Sequence, residues 1–303
     1  MTSTVSSTIK QVLSCPYCGD AVQATEELTT CSACQTSYAF TPSGSLDMRL
    51  QKPKRVQLQF EVGGPLLPRE GFAFETLTAC PQPQVDYSAI STPVHLTKEL
   101  LSYFPKAQSA DSKMLDLGCG STLHKGVCEH AGFEWVGMDY NSPRAPILGD
   151  AHALPFKDGS FEFIMSIAVL EHIRNPFVMM REAYRVLKPN GLFVGTVAFL
   201  EPFHGDSYYH HTHLGTWNSL QSAGFTIEKI APSAEWTVLR AQAEMGLFSK
   251  LPKFIARAIV APVQLLHVLW WNCARLISSK ASKSVRIRNH TGVFTFIARK
   301  NPA

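Results

Sequence analysis

The chain has 303 residues, 45% of them apolar and 17% charged, with a formal net charge of +4. That length buries a full-sized core with room for a small satellite, and the composition excludes a disordered or collagen-like polymer. The charge is unevenly placed: from Arg240 onward there are eleven Lys/Arg and one acid, Glu244, a net +10, against −6 for the residues before it. Such asymmetry points to an anionic partner, either nucleic acid or membrane head groups, with a solubilising face as the bland reading.

Residues 1–12 are Ser/Thr-rich, lack the apolar stretch of a secretory leader, and read as a disordered tail. The cytoplasm is therefore the expected compartment. Two knuckles follow, Cys15-Pro-Tyr-Cys18 and Cys31-Ser-Ala-Cys34, with twelve residues between them. Four thiolates at this spacing suit the vertices of a tetrahedron around Zn²⁺. With every position filled by cysteine the zinc is expected to be structural, and it would supply the stability that so short a segment cannot draw from its own core. Cys80, Cys119, Cys128 and Cys273 show no ligand spacing and read as buried or incidental thiols. Residues 13–50 thus read as a zinc ribbon, with a strand over Thr36–Phe40. Residues 51–92, which carry Gly63-Gly-Pro65 and Pro81-Gln-Pro83, read as a linker packed over the next domain.

From Pro93 helices and strands alternate. Helices are predicted at 95–104, 123–131, Pro176–Leu187 and Thr216–Ala223. Strands are predicted at Lys113–Leu117, Phe133–Met138, Phe161–Ser166, Leu192–Phe199, Phe225–Ala231 and Gly292–Arg299, with Lys188-Pro-Asn-Gly191 closing a helix before the fourth of them. This alternation predicts an α/β fold over 93–303: a Rossmann-like, seven-stranded, mostly parallel sheet with helices on both faces.

The strand ending in Leu115-Asp-Leu-Gly-Cys-Gly120 runs into a glycine turn, and the next strand ends in Gly137-Met-Asp-Tyr140. An acid at that second strand end is where a nucleotide-binding sheet holds a ribose. Gly149-Asp-Ala151, the Leu154–Phe161 segment, Ser166–His172 and Arg181–Gly191 complete the series in order. Together these motifs resemble a class I S-adenosylmethionine-dependent methyltransferase of the type 11-like group. The resemblance implies a cofactor site of Asp116, Gly118, Cys119, Gly120, Asp139, Tyr140, Asp150, Ala151 and Ser166. In it Asp116 serves the methionine ammonium, Asp139 both ribose hydroxyls, and Asp150 with the Ala151 amide the adenine. Cys119 reads as a filler of the loop. A hydride-transferring dinucleotide enzyme is set aside, because the loop lacks the third glycine of Gly-x-Gly-x-x-Gly.

Methyl transfer to a hydroxyl needs alignment and a base. Candidates lie after the strand ending at Phe199, in Glu201-Pro-Phe-His204-Gly-Asp206-Ser-Tyr208-Tyr-His210-His-Thr-His213. His204 is the first choice, His210 the second, and Asp206 the orienting partner, with surface histidines or metal ligands as the alternatives. Ser166-Ile-Ala-Val169 stands where methyltransferases of exocyclic amines or Gln carry Asn/Asp-Pro-Pro-Tyr/Phe. The expected reaction is therefore O-methylation of a small-molecule, glycan or lipid-linked acceptor. The cysteine framework is also similar to that of zinc-ribbon methyltransferases acting on rRNA guanine, so RNA stays open as a partner. A binding module without turnover fits less well, since all three cofactor acids are present.

Residues 233–284 form an insert where a short connection is expected. Lys253–Ile277 reads as a helix with Lys253, Arg257, Gln264, His267 and Arg275 on one narrow stripe, kinked or divided at Pro262. Two arginines argue against a membrane span. Three readings stay open: a helix on an anionic membrane surface through residues 250–288, with Trp270 and Trp271 at head-group level and Lys/Arg toward lipid; a helical cap; or a homodimer contact.

Overall fold

The computed structural model describes residues 5–25, 28–60, 75–93, 95–278 and 280–302. Its N-terminal segment is not a tail. Ser7–Val12 is a helix (α1), capped by the Ser6 hydroxyl on the Ile9 amide at 3.1 Å. Val5, Ile9 and Leu13, spaced four apart, are buried in the main core. Ser6 and Thr8 both donate to the Glu134 carboxylate. Six residues are too few to show a helical period in sequence, but a capped turn with one apolar edge is stable once docked.

The ribbon follows as a three-stranded antiparallel sheet of Val22–Ala24 (β1), Leu28–Cys31 (β2) and Ser37–Ala39 (β3), paired in the order β1-β2-β3. Its next strand, Leu46–Asp47 (β4), belongs to the large sheet instead. Between the two domains, residues 51–60 and 75–92 carry no helix or strand, and Leu77, Val85, Tyr87 and Ile90 pack against the core as the linker reading expects. Gly63–Pro65 lies outside the described residues.

The α/β domain runs as Lys98–Leu101 (α2), Lys113–Leu117 (β5), Lys125–His130 (α3), Glu134–Asp139 (β6), Ile147–Leu148 (β7), Phe161–Ile167 (β8), Pro176–Val186 (α4), Leu187–Ala198 (β9), His213–Ser222 (α5) and Thr226–Pro232 (β10). The insert holds Val238–Ala241 (α6), a π-turn over Gln242–Leu247, Lys253–Ile277 (α7) and Lys283–His290 (α8), before Val293–Arg299 (β11) closes the chain's fold. The sheet order is β10-β11-β9-β8-β5-β6-β7-β4. The strands from β9 to β4 in that order pair in parallel, and β11 is antiparallel to both its neighbours. All five residues of β5 are buried, Lys113 and Asp116 among them, because helices cover both faces.

Two departures from the sequence reading concern the sheet. It has eight strands, because Leu46 and Asp47 pair in parallel with Ile147 and Leu148. The ribbon is therefore built into the edge of the catalytic sheet. Second, Lys188–Gly191 is not a hairpin ahead of a strand. Phe161 pairs with Leu187 and Phe163 with Leu192, so those four residues bulge out of one continuous β9. Helix α7 runs undivided through Pro262, so of the two outcomes expected there the division does not occur.

Candidate functional site

Strands β5, β6 and β8 end together, and their loops form the site. Gly118 sits at φ +80, and a Cβ there would lie 2.3 Å from a Val169 methyl, so only glycine fits the turn. The Gly118 and Cys119 amides both donate to the Met138 carbonyl, at 2.8 and 3.1 Å, binding the loop to the end of β6. Cys119 is buried, and its thiol is pushed well up by burial and by Asp116 and Asp139 nearby, which suits a filler and not a nucleophile.

Asp139 organises the loop. Its Oδ2 accepts from the Gly120 amide at 2.9 Å, and its Oδ1 from the Asn141 and Ser142 amides at 3.0 Å each. A carboxylate offers about four lone-pair sites. With three occupied by amides, roughly one on Oδ2 is left, fewer than the two that the expected pair of ribose hydroxyls would take. Tyr140 is exposed beside it, its ring 5.8 Å from the Arg49 guanidinium and its carbonyl accepting from Arg49 Nη1 at 3.2 Å. Arg49, fixed by Asp47, brings the ribbon to the edge of the site around a cavity of about 520 Å³.

Asp116 is buried near the end of β5. Its Oδ2 accepts from the Trp135 indole at 3.1 Å, while its Oδ1 finds no partner among the described residues. A buried carboxylate oxygen left unpaired is costly, and an ammonium group is the chemistry that would satisfy it. His124, also buried, places Nδ1 3.8 Å from Asp116; sequence reasoning missed it because it stands alone before α3. Asp150 is more committed than expected. Its Oδ1 accepts from the His152 amide at 2.9 Å and the His152 ring at 2.6 Å, while His152 Nε2 accepts from the Asn175 amide at 3.0 Å. Burial raises the Asp150 carboxyl, but the His152 bonds outweigh it and hold the group below its ordinary range. Ala151 is buried beside it, and Ser166 is buried within β8. The segment is pinned from beneath: Arg185 donates to the Leu154 and Phe156 carbonyls at 3.0 and 2.6 Å and to Glu182 at 2.7 Å.

After β9 the histidine loop crosses the same end of the sheet. His204 Nδ1 bonds Glu201 Oε2 at 2.9 Å, and Glu201 Oε1 accepts from the Trp236 indole at 2.6 Å. The acid bonded to His204 is therefore Glu201. Asp206 was expected in that role, but its side chain is exposed and only its carbonyl engages the cluster, accepting from His172 Nδ1 at 3.2 Å. His210 is exposed, whereas His211 is buried with Nε2 3.3 Å from the Leu170 carbonyl. Glu171 lies next to His172 and His204, fully buried, with both carboxylate oxygens unpaired among the described residues, and burial raises its pKa. One ligand atom from each of these three residues lies within 4.8 Å of the others.

The four ribbon thiols form a second cluster, each offering a sulfur within 4.8 Å of the rest. Cys15 and Cys34 sulfurs are 3.6 Å apart and Cys18 and Cys31 3.4 Å, with the buried Tyr38 hydroxyl 3.1 Å from Cys15. A tetrahedron of sulfurs about 2.3 Å from an ion has edges of about 3.8 Å, so the donor set fits a thiophilic metal.

A parallel sheet with a glycine loop after β5, an acid ending β6 and an acid after β7 defines a class I S-adenosylmethionine-dependent methyltransferase domain. Residues 115–195 match the methyltransferase domain family. An uncharacterized 37.1 kDa protein from a Streptomyces fradiae transposon is 35% identical over 99 residues, covering 26% of this chain and 28% of that protein. An uncharacterized methyltransferase of Mycobacterium sp. (strain KMS) is 32% identical over 104 residues, covering 30% of this chain and 41% of the relative. The chain thus spans less than half the length of either. Among solved structures, a chain of the complex between the Haloferax volcanii Trm112 methyltransferase activator and a methyltransferase is 17% identical, with a TM-score of 0.46 over 68% of this chain and 89% of that one.

Proposed function

We propose that the protein O-methylates a small-molecule, glycan or lipid-linked acceptor, with His204 as general base. The observation that supports this reading is the Trp236–Glu201–His204 relay at the carboxyl end of the sheet. With Nδ1–H donated to Glu201, His204 keeps Nε2 free to take a hydroxyl proton, and the carboxylate steadies the imidazolium that forms. Asp116 Oδ1 would hold the methionine ammonium, Asp139 Oδ2 a ribose hydroxyl, and Asp150 with Ala151 the adenine, with Gly118, Gly120 and Ser166 bounding the site. S-adenosylmethionine bound there supplies a methyl group already activated on a sulfonium. In the same reading Cys15, Cys18, Cys31 and Cys34 hold one structural Zn²⁺.

The test incubates the protein with methyl-tritiated S-adenosylmethionine and a cell extract, then divides the label among organic-soluble, small aqueous and RNA fractions. Label in either of the first two, lost in His204→Ala, supports the reading. Label in nuclease-sensitive RNA replaces it with RNA methylation through the ribbon and the basic C-terminal region.

A further inference from the structure

Helix α7 is mounted the wrong way round for a water-facing helix. The middle of its polar stripe is turned toward the protein: Arg257 Nε donates to Glu244 at 2.5 Å, Gln264 Nε2 bonds the Thr237 hydroxyl at 3.1 Å, and the His267 ring meets the His290 ring edge to face at 3.8 Å between centroids. Glu244, the single acid after Arg240, is spent inside this contact, bonded also to Arg240 at 2.7 Å. The opposite arc is apolar and exposed. Phe254, Ile255, Ile259, Leu266, Trp270 and Ile277 lie on it, with Leu266 66%, Trp270 69% and Ile277 90% accessible. Only Ala256 and Val260 of the whole helix are buried. A cap over the sheet would have buried the arc, so the cap reading is excluded.

We propose that α7 and α8 seat the protein on an anionic lipid bilayer, with α7 lying in the plane of the interface and its apolar arc sunk among the acyl chains. The charges fit that occupant. Lys250 and Lys280 flank the helix and Lys283 and Arg288 stand on α8, all four exposed, where they meet lipid phosphates while Trp270 sits at the boundary. A second copy is the weaker occupant, because a symmetric contact through this arc would bring two +10 regions together. A span is long enough at about 37 Å for 25 residues. It is excluded by packing. From Arg257 to His267 one side of α7 is held against α6 and the turn after it by the Arg257–Glu244 and Gln264–Thr237 bonds, and the His267 ring meets His290 of α8. A helix bonded sideways to a folded domain along that length lies on the surface. The stripe expected to face lipid therefore faces the protein, and the lipid-facing charges come from the helix ends and α8. The bond from Trp236 to Glu201 places this insert beside the His204 loop, so a bilayer acceptor would arrive at the mouth of the site.

The test is flotation of the full chain with vesicles of pure phosphatidylcholine and of equimolar phosphatidylcholine and phosphatidylglycerol, at low and high salt. The protein floats with the anionic vesicles, less so as salt rises. Leu266→Glu and Trp270→Glu abolish flotation while melting temperature and S-adenosylhomocysteine affinity hold. Lys280→Ala and Lys283→Ala each weaken partitioning roughly fivefold. Absence of flotation in the wild type, flotation unchanged by Leu266→Glu, or a vesicle-free dimer by sedimentation that Leu266→Glu dissolves overturns the proposal. These readouts are independent of catalysis.

Discussion

Asp139 offers a sharp test of the cofactor site. Its carboxylate accepts three backbone amides, two on Oδ1 and one on Oδ2, and keeps roughly one acceptor position. In Asp139→Asn the amide NH₂ takes the Oδ2 side, where it displaces a single bond instead of two. It then faces the Gly120 N–H donor and offers the ribose no acceptor. Losing one hydrogen bond to a charged group costs about 1.5–3 kcal/mol, or roughly ten- to hundredfold in affinity. The clash with Gly120 lowers the melting temperature by roughly 2–4 °C per kcal/mol. Titration calorimetry with S-adenosylhomocysteine measures the first effect, and calorimetric scanning the second. The single remaining lone pair also predicts asymmetry between 2′-deoxy and 3′-deoxy analogues: one loses at least tenfold, the other little. A folded Asp139→Asn variant within threefold of wild type, or equal large losses for both analogues, refutes the reasoning.

Three further outcomes follow from other parts of the structure. Atomic emission on purified protein is expected to find one zinc per chain, lost in Cys31→Ser; because β4 ties the ribbon to the sheet, stripping the metal lowers the melting temperature of the whole protein in one transition. Burial lowers the pKa of His211, His213, His267 and His290. The unfolded chain binds protons at these sites below about pH 6.5 while the folded one resists, so urea stability is full above that pH and falls toward pH 5. A flat profile over that window contradicts the burial. Finally, Glu201→Gln leaves S-adenosylhomocysteine affinity unchanged but lowers kcat about ten- to hundredfold and shifts the acid limb of the pH–rate profile, as expected for a positioning residue; an unchanged acid limb removes Glu201 from the relay.

The core of the sheet was legible because its chemistry is local. β5 is predicted to the residue, since its Met-Leu and Leu positions run straight into the glycine turn, and β6 and β8 are mostly apolar segments found close to their expected bounds. What sequence missed was fixed by distant partners. Leu46 and Ile147 pair across a hundred residues through strands of two residues each, too short for any period. Helix α1 needed a core for Val5 and Ile9 to enter. Glu201 was in view three residues before His204, but Asp206 was as near, and only the folded loop, with His204 and Trp236 both bonded to Glu201, distinguishes them. The stripe on α7 was readable and its direction was not, because a helical wheel has no outside until Glu244 and Thr237 supply an inside.

The pairing of β4 with β7 also bears on how the chain survives its own synthesis. A parallel sheet ending in an open strand presents unpaired amides and carbonyls to any neighbouring chain, and such edges seed aggregation. Here that edge is covered by a module made first and held by four thiols. If the ribbon fails to gather its cysteines, β7 stands bare and the rest of the sheet is exposed behind it. The four-cysteine cluster would thus act as a guard against misassembly, and the soluble yield of the protein is expected to follow the supply of metal during expression.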